Sequence, residues 1–163
     1  MWITNGCVVS PTSSSARNGW ATTIRGSVPV AERREAGVLD TCVYIDLDLL
    51  DRSVLPLRST LTAVTLAELH KGVIMARDAA TKVARTERLG AAIAAFEPLP
   101  FDGEAAARYG SFVALTLAAD RDPRPRALDL MIAAIASCHG LPLFTRDVKD
   151  FVGLGDLVEV VGV

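Results

Sequence analysis

Cysteine, histidine and aromatic side chains are scarce in this sequence, and no apolar run is long. Of 163 residues only three are cysteine (Cys7, Cys42, Cys138), an odd number with no CxxC spacing. That argues against a disulfide framework or a zinc site, and fits a reducing, cytoplasmic setting. The longest apolar run, Leu130 to Cys138, is interrupted only by Ser137 and is too short to cross a bilayer. Basic charge is not in excess: 17 Lys and Arg against 19 Asp and Glu leave a net charge of −2 and a pI near 5.7. A chain holding nucleic acid by charge alone would be basic, so a polyanionic partner here needs a local basic patch or a bound cation. The two histidines, His70 and His139, have no partner spacing suited to metal binding or to a catalytic triad.

What the chain does have is apolar residues, half of the total, with abundant alanine. The length suits one domain with a real core. Residues 1–36, rich in Ser, Thr, Asn and Gly and without a sustained period, read as a flexible N-terminal extension or an upstream segment brought in by an early start codon. They lack the basic start and apolar core of a secretory signal. The body is then 37–163.

In the body, strands and helices alternate. GVLD is a short strand ending in Asp40, and Thr41 to Leu50 carries apolar residues at helical spacing. STLTAV (Ser59 to Val64) is a β-branched strand, and Thr65 opens a helix running through TLAELHKGVIMARDAA. A further helix covers Lys82 to Phe96, EPLPF is extended, and Asp102 starts a helix reaching Ala119. RDPRPR forms a basic, proline-broken loop before an apolar helix, Ala127 to His139, closed by Gly140. LPLFT and LVEVV are the last strands. The expected fold is α/β, a three-layer sandwich with a mostly parallel sheet of four to five strands and helices on both faces. In such folds sites form beyond the carboxyl ends of the strands.

Four acids reach that edge. Asp40 closes the first strand, where it would also serve as an N-cap. Glu68 lies three residues after Thr65, so Thr65-Leu66-Ala67-Glu68 reads as a capping box in the first turn after a strand. Asp129 sits in ALDLMIAAIA, apolar on all sides, where a buried carboxylate is costly unless paired or metal-bound. Asp147 follows LPLFT directly, with Asp150 three residues on. Brought together, such groups repel: a unit pair at about 4 Å costs roughly 4 kcal/mol at an effective dielectric of 20. An all-oxygen cluster calls for a hard cation, Mg²⁺ or Mn²⁺.

VLDTCVYIDL, TAVTLAELHKGV, LDLMIAAIASCHGLPLFTRDVKDF and LVEVV, in that order, resemble the PIN domain, and more closely its VapC-type ribonuclease toxins of toxin–antitoxin pairs. The resemblance spans residues 37–163. It implies a Mg²⁺- or Mn²⁺-dependent endoribonuclease that hydrolyses RNA by metal-activated water, leaving a 5′-phosphate and a 3′-hydroxyl. It also implies a VapB-type antitoxin partner, a homodimer and no membrane association. Asp40, Glu68, Asp129 and Asp147 match the acidic set of the family, with Asp150 as a supporting or substitute ligand. Thr41 and Thr145 match positions that orient those carboxylates. Cys42 departs from the usual Asn or Ser, and residues 1–36 have no counterpart. Single-stranded or looped RNA is the expected substrate. Arg121, Arg124, Arg126 and Arg146 are the candidate phosphate contacts, and the helical segment from Thr65 to Phe96 is a candidate groove for a partner helix.

Two other functions fit parts of the sequence. VYIDLDLL resembles the DxD motif of haloacid-dehalogenase-like phosphatases, with Asp46 as nucleophile and Asp48 as acid. On a helix, however, those two would point about 200° apart. The other is a PIN-like module that binds RNA or protein without catalysis, against which the complete acidic set argues.

Overall fold

The computed structural model describes residues 33–163. Residues 1–32 of the expected extension, and Cys7 with them, lie outside the described residues. The folded body begins slightly before Gly37. β1 spans Ala36–Leu39, Arg33 Nε donates to the Leu55 carbonyl at 2.9 Å, and the Leu57 amide donates to the Arg34 carbonyl at 2.9 Å.

Four strands form one parallel sheet: β1, β2 (Arg58–Thr60), β3 (Leu143–Thr145) and β4 (Val160–Gly162), in the order β2-β1-β3-β4. β1 and β3 are central and covered on both faces, so they read as unbroken apolar runs. Alternation along them separates two cores. Val38 and Leu143 point into one, with Phe112, Leu130 and Ile135. Leu39 and Phe144 point into the other, with Val43, Leu61 and Leu69.

The first core is covered by α4 (Gly103–Ala118) and α5 (Ala127–Cys138), and the second by α1 (Thr41–Ile45), α2 (Ala63–Ile74) and α3 (Ala79–Ala95). This is the three-layer α/β architecture expected from the alternation.

Several boundaries differ from expectation for identifiable reasons. α1 stops at Ile45 rather than Leu50; carboxylates at Asp46 and Asp48 would oppose the negative end of a longer helix. Asp51 instead caps a short 3₁₀ turn, Arg52–Val54, through the Ser53 amide at 2.9 Å. α2 begins at Ala63, two residues earlier than expected. Its cap is Thr62, whose Oγ1 accepts from the Thr65 amide at 3.0 Å, so the Thr65–Glu68 capping box does not form. STLTAV is accordingly a strand only at its start, and Thr62 pairs with Leu99 of EPLPF in a single parallel bridge. α2 ends at Ile74, and Asp78 caps a separate α3 through the Thr81 amide at 2.8 Å. The RDPRPR loop winds into a 3₁₀ turn, Arg124–Arg126, that runs straight into α5. Gly140, at φ 61°, ends α5 in the left-handed conformation that favours glycine. No described helix is long and apolar enough to cross a membrane.

Candidate active site

The carboxyl ends of β1 and β3 meet the starts of α1, α2 and α5 around a cavity of about 270 Å³ lined by Asp40, Glu68, Asp129, Asp147 and Asp150, with Thr41, Cys42, Ile45 and Phe151 completing the wall. All five sequence-predicted acids therefore face one space.

Asp40 is the best-anchored member and is buried, 4% exposed. Its Oδ1 accepts from the Thr41 amide at 2.7 Å, which makes it the N-cap of α1. Its Oδ2 accepts from Thr145 Oγ1 at 2.7 Å and from the Cys42 thiol at 3.3 Å. Thr145 also accepts from the Asp147 amide at 3.0 Å, so one fully buried hydroxyl ties the end of β1 to the turn after β3. Thr41 donates to Glu68 Oε2 at 2.6 Å and holds the α2 carboxylate toward the same cavity. Burial pushes the Cys42 thiol up from its ordinary pKa, with the adjacent Asp40 adding to the effect. It stays protonated at neutral pH and can donate to Asp40.

Asp129 lies in the first turn of α5, half-buried, with Leu130 and Ile132 through Ala136 buried behind it. Desolvation, then the charges of Asp40, Glu68, Asp150 and Asp147, push its carboxyl from 3.8 up to about 7. Asp147 is more open, its side chain 52% exposed, with Lys149 Nζ at 4.0 Å. Asp150 is neutralised in part by Arg126 at 3.3 Å and Arg121 at 3.7 Å.

The four arginines expected to meet RNA are all engaged within the protein. Besides the Asp150 pairs, Arg124 meets Asp122 at 3.1 Å and Arg146 meets Asp46. Arg126 is the most enclosed of the four, and its Nε has no hydrogen-bond partner among the described residues. Of the rival DxD pair, Asp46 is the C-cap of α1 and Asp48 pairs with Arg88 at 3.3 Å; neither lines the acidic cavity.

Among the described residues, no three His, Cys, Asp or Glu side chains stand close enough to enclose an ion already. The donor chemistry nonetheless fits a hard divalent cation: the cavity offers carboxylate oxygens and no imidazole. Burial first and repulsion second lift Asp129, and such a cation would relieve the repulsion.

This fold and site define a class. The family model for the PIN domain matches residues 38–155. Ribonuclease VapC5 of Mycobacterium tuberculosis is 41% identical over 130 residues, covering 77% of this chain and 92% of that protein. Among solved structures, a member of the VapBC family of toxin–antitoxin systems, VapBC-5 from Mycobacterium tuberculosis, superposes with a TM-score of 0.70 at 37% identity, covering 79% of this chain and 99% of that one. FitAcB from Neisseria gonorrhoeae superposes with a TM-score of 0.60 at 29% identity, covering 77% and 96%. The chain belongs to the PIN-domain family, in its VapC-type branch.

Proposed function

We propose that this chain is the ribonuclease toxin of a VapBC-type pair, hydrolysing RNA phosphodiester bonds at the acidic cavity with Mg²⁺ or Mn²⁺. The observation that carries this is the convergence of five carboxylates, from four separate stretches of chain, on one cavity with Asp129 lifted to about 7. Such crowding opposes folding unless protons or a cation offset it, so its presence at a strand-end cleft points to chemistry.

Asp40, Glu68, Asp129 and Asp147 would hold the cation, with Asp150 in support. When bound, a divalent ion lowers the pKa of water and offsets charge on the phosphate. The chain's own part is orientation. Three donors fix Asp40, Thr41 fixes Glu68, and Thr145 links Asp40 to the Asp147 turn. Water would attack the phosphorus as the P–O3′ bond breaks; one cavity carboxylate would take the water's proton, and solvent would supply one to the leaving 3′-oxygen. Cys42, as a neutral donor to Asp40, supports the same orientation.

The solved relative from the VapBC family of toxin–antitoxin systems supports an antitoxin as partner of this chain. The α2–α3 pair leaves Ile74, Met75, Val83 and Ile93 exposed, an apolar surface suited to an antitoxin helix or to a second copy of the chain. The cysteine pattern favours the cytoplasm. Calorimetric titration with Mg²⁺ at pH 8 tests the site: the unaltered protein should bind, and Asp129→Asn should bind at least tenfold more weakly and lose RNA cleavage. Cleavage retained by Asp129→Asn would overturn the proposal.

A further inference from the structure

The acidic cavity repels the polymer it is proposed to cut; of the arginines expected to offset this, Arg121 and Arg126 are enclosed on Asp150, while Arg124 and Arg146 pair with Asp122 and Asp46 at the surface. A second space answers the problem. A groove of about 610 Å³ between α2 and α3 shares Thr41, Ile45 and Glu68 with the cavity, so the two lie side by side. Its wall carries Lys71, Arg77 and Arg85, all exposed. Among the described residues none of these three has a carboxylate within ion-pair distance, in contrast to Arg121, Arg124, Arg126 and Arg146. Arg85 is held in position by donating to the Gly72 carbonyl at 2.6 Å. Asp78, the groove's other acid, is occupied by the Thr81 amide at 2.8 Å and the Thr81 hydroxyl at 2.7 Å.

We propose that this groove is the RNA-binding track: Lys71, Arg77 and Arg85 engage backbone phosphates of the strand flanking the bond in the acidic cavity. The inference rests on the ribonuclease reading and adds the direction from which the strand enters. Three cations with no carboxylate of the described residues within ion-pair distance, next to a carboxylate cavity, match a linear polyanion whose cut phosphate sits at the acids and whose neighbours lie outside them. Phosphate contacts of this kind position the strand without reading its sequence. None of the three touches the reacting atoms, so their effect belongs to binding.

The test uses the full chain and a short, fluorescein-labelled single-stranded RNA of mixed sequence. Binding is read by anisotropy in the Asp129→Asn background, and cleavage with Asp129 intact. The triple variant K71A/R77A/R85A should bind roughly tenfold or more weakly at about 0.1 M salt, and its log–log salt slope should fall by about 2. In cleavage it should raise KM with little change in kcat. K71A/R77A, which leaves the Arg85–Gly72 bond intact, should show a smaller shift of the same sign. R52A/K82A removes two cations outside the groove and should change neither affinity nor slope.

Unchanged RNA affinity and salt slope in the triple variant would overturn the inference, as would loss of affinity for an antitoxin alone. If the unaltered protein cleaves no RNA but the triple variant still loses RNA binding, the ribonuclease reading fails while the track stands.

Discussion

At Asp40 a helix cap and a cleft carboxylate are the same side chain: one oxygen takes the Thr41 amide and the other takes Thr145 and Cys42. A capping role and a functional role therefore do not compete, and sequence alone could not separate them. Asp129 is different: it makes no cap, and its place in the first turn of α5, though suited to the helix dipole, is half-buried among other carboxylates. Its folded-state pKa, about 7 against 3.8, means the folded protein holds this proton more tightly than the unfolded chain. Asp129 therefore contributes stability that is complete below about pH 4 and lost as pH rises through about 7. Metal-free Asp129→Asn should accordingly melt above the unaltered protein at pH 8, by a margin that shrinks as pH falls and closes below about pH 4. A gap that does not change with pH would contradict this account of the cavity. Asp46, whose partner is Arg146 on the surface, should behave otherwise: Asp46→Asn should keep RNA cleavage within a few-fold in a gel assay. Abolition of activity by that change would revive the DxD reading.

Elements were legible where periodicity and caps agreed. β1, α4, α5 and β3 carry unbroken or regularly spaced apolar residues, and the Asp102 cap and Gly140 stop stand where the residue types suggested. Boundaries failed where two polar residues could both cap. Thr62 and Thr65 are three apart and both buried, and only tertiary pairing of Thr62 with Leu99 selects the earlier one. The groove cations were also within reach of the sequence. Lys71 lies three residues after Glu68 on α2, the spacing that puts two side chains on one helix face. The RDPRPR cluster is denser in charge, yet Arg121 and Arg126 turn inward to Asp150 and only Arg124 stays on the surface, beside Asp122. Packing of β1 on β3 leaves little room for change. A Cβ at Gly37 would stand 2.3 Å from Phe144, a ring that is itself buried. Gly37→Ala should therefore destabilise by about 1–3 kcal/mol in urea unfolding, and should weaken activity through the displaced Asp40 strand end. A stability within 0.5 kcal/mol of the unaltered protein, as is usual for neutral surface changes, would show that the ring moves freely.

For the whole molecule, the fold class and the acidic set follow from residue types in order, because a parallel sheet delivers its strand ends to one edge. The supporting hydrogen bonds and the direction of the arginines do not follow, since they depend on how loops close over that edge. The net charge of −2 is likewise uninformative until it is resolved into an acidic cavity and a cationic groove side by side. The central claim is that this cavity hydrolyses RNA with a divalent cation. The most direct measurement is incubation of the purified protein with total RNA in Mg²⁺ and in EDTA, with cleavage ends mapped and Asp129→Asn alongside. The account predicts discrete cuts bearing 5′-phosphates, present in Mg²⁺ and absent with EDTA and with the variant. Equal cleavage in EDTA, or in Asp129→Asn, would contradict it.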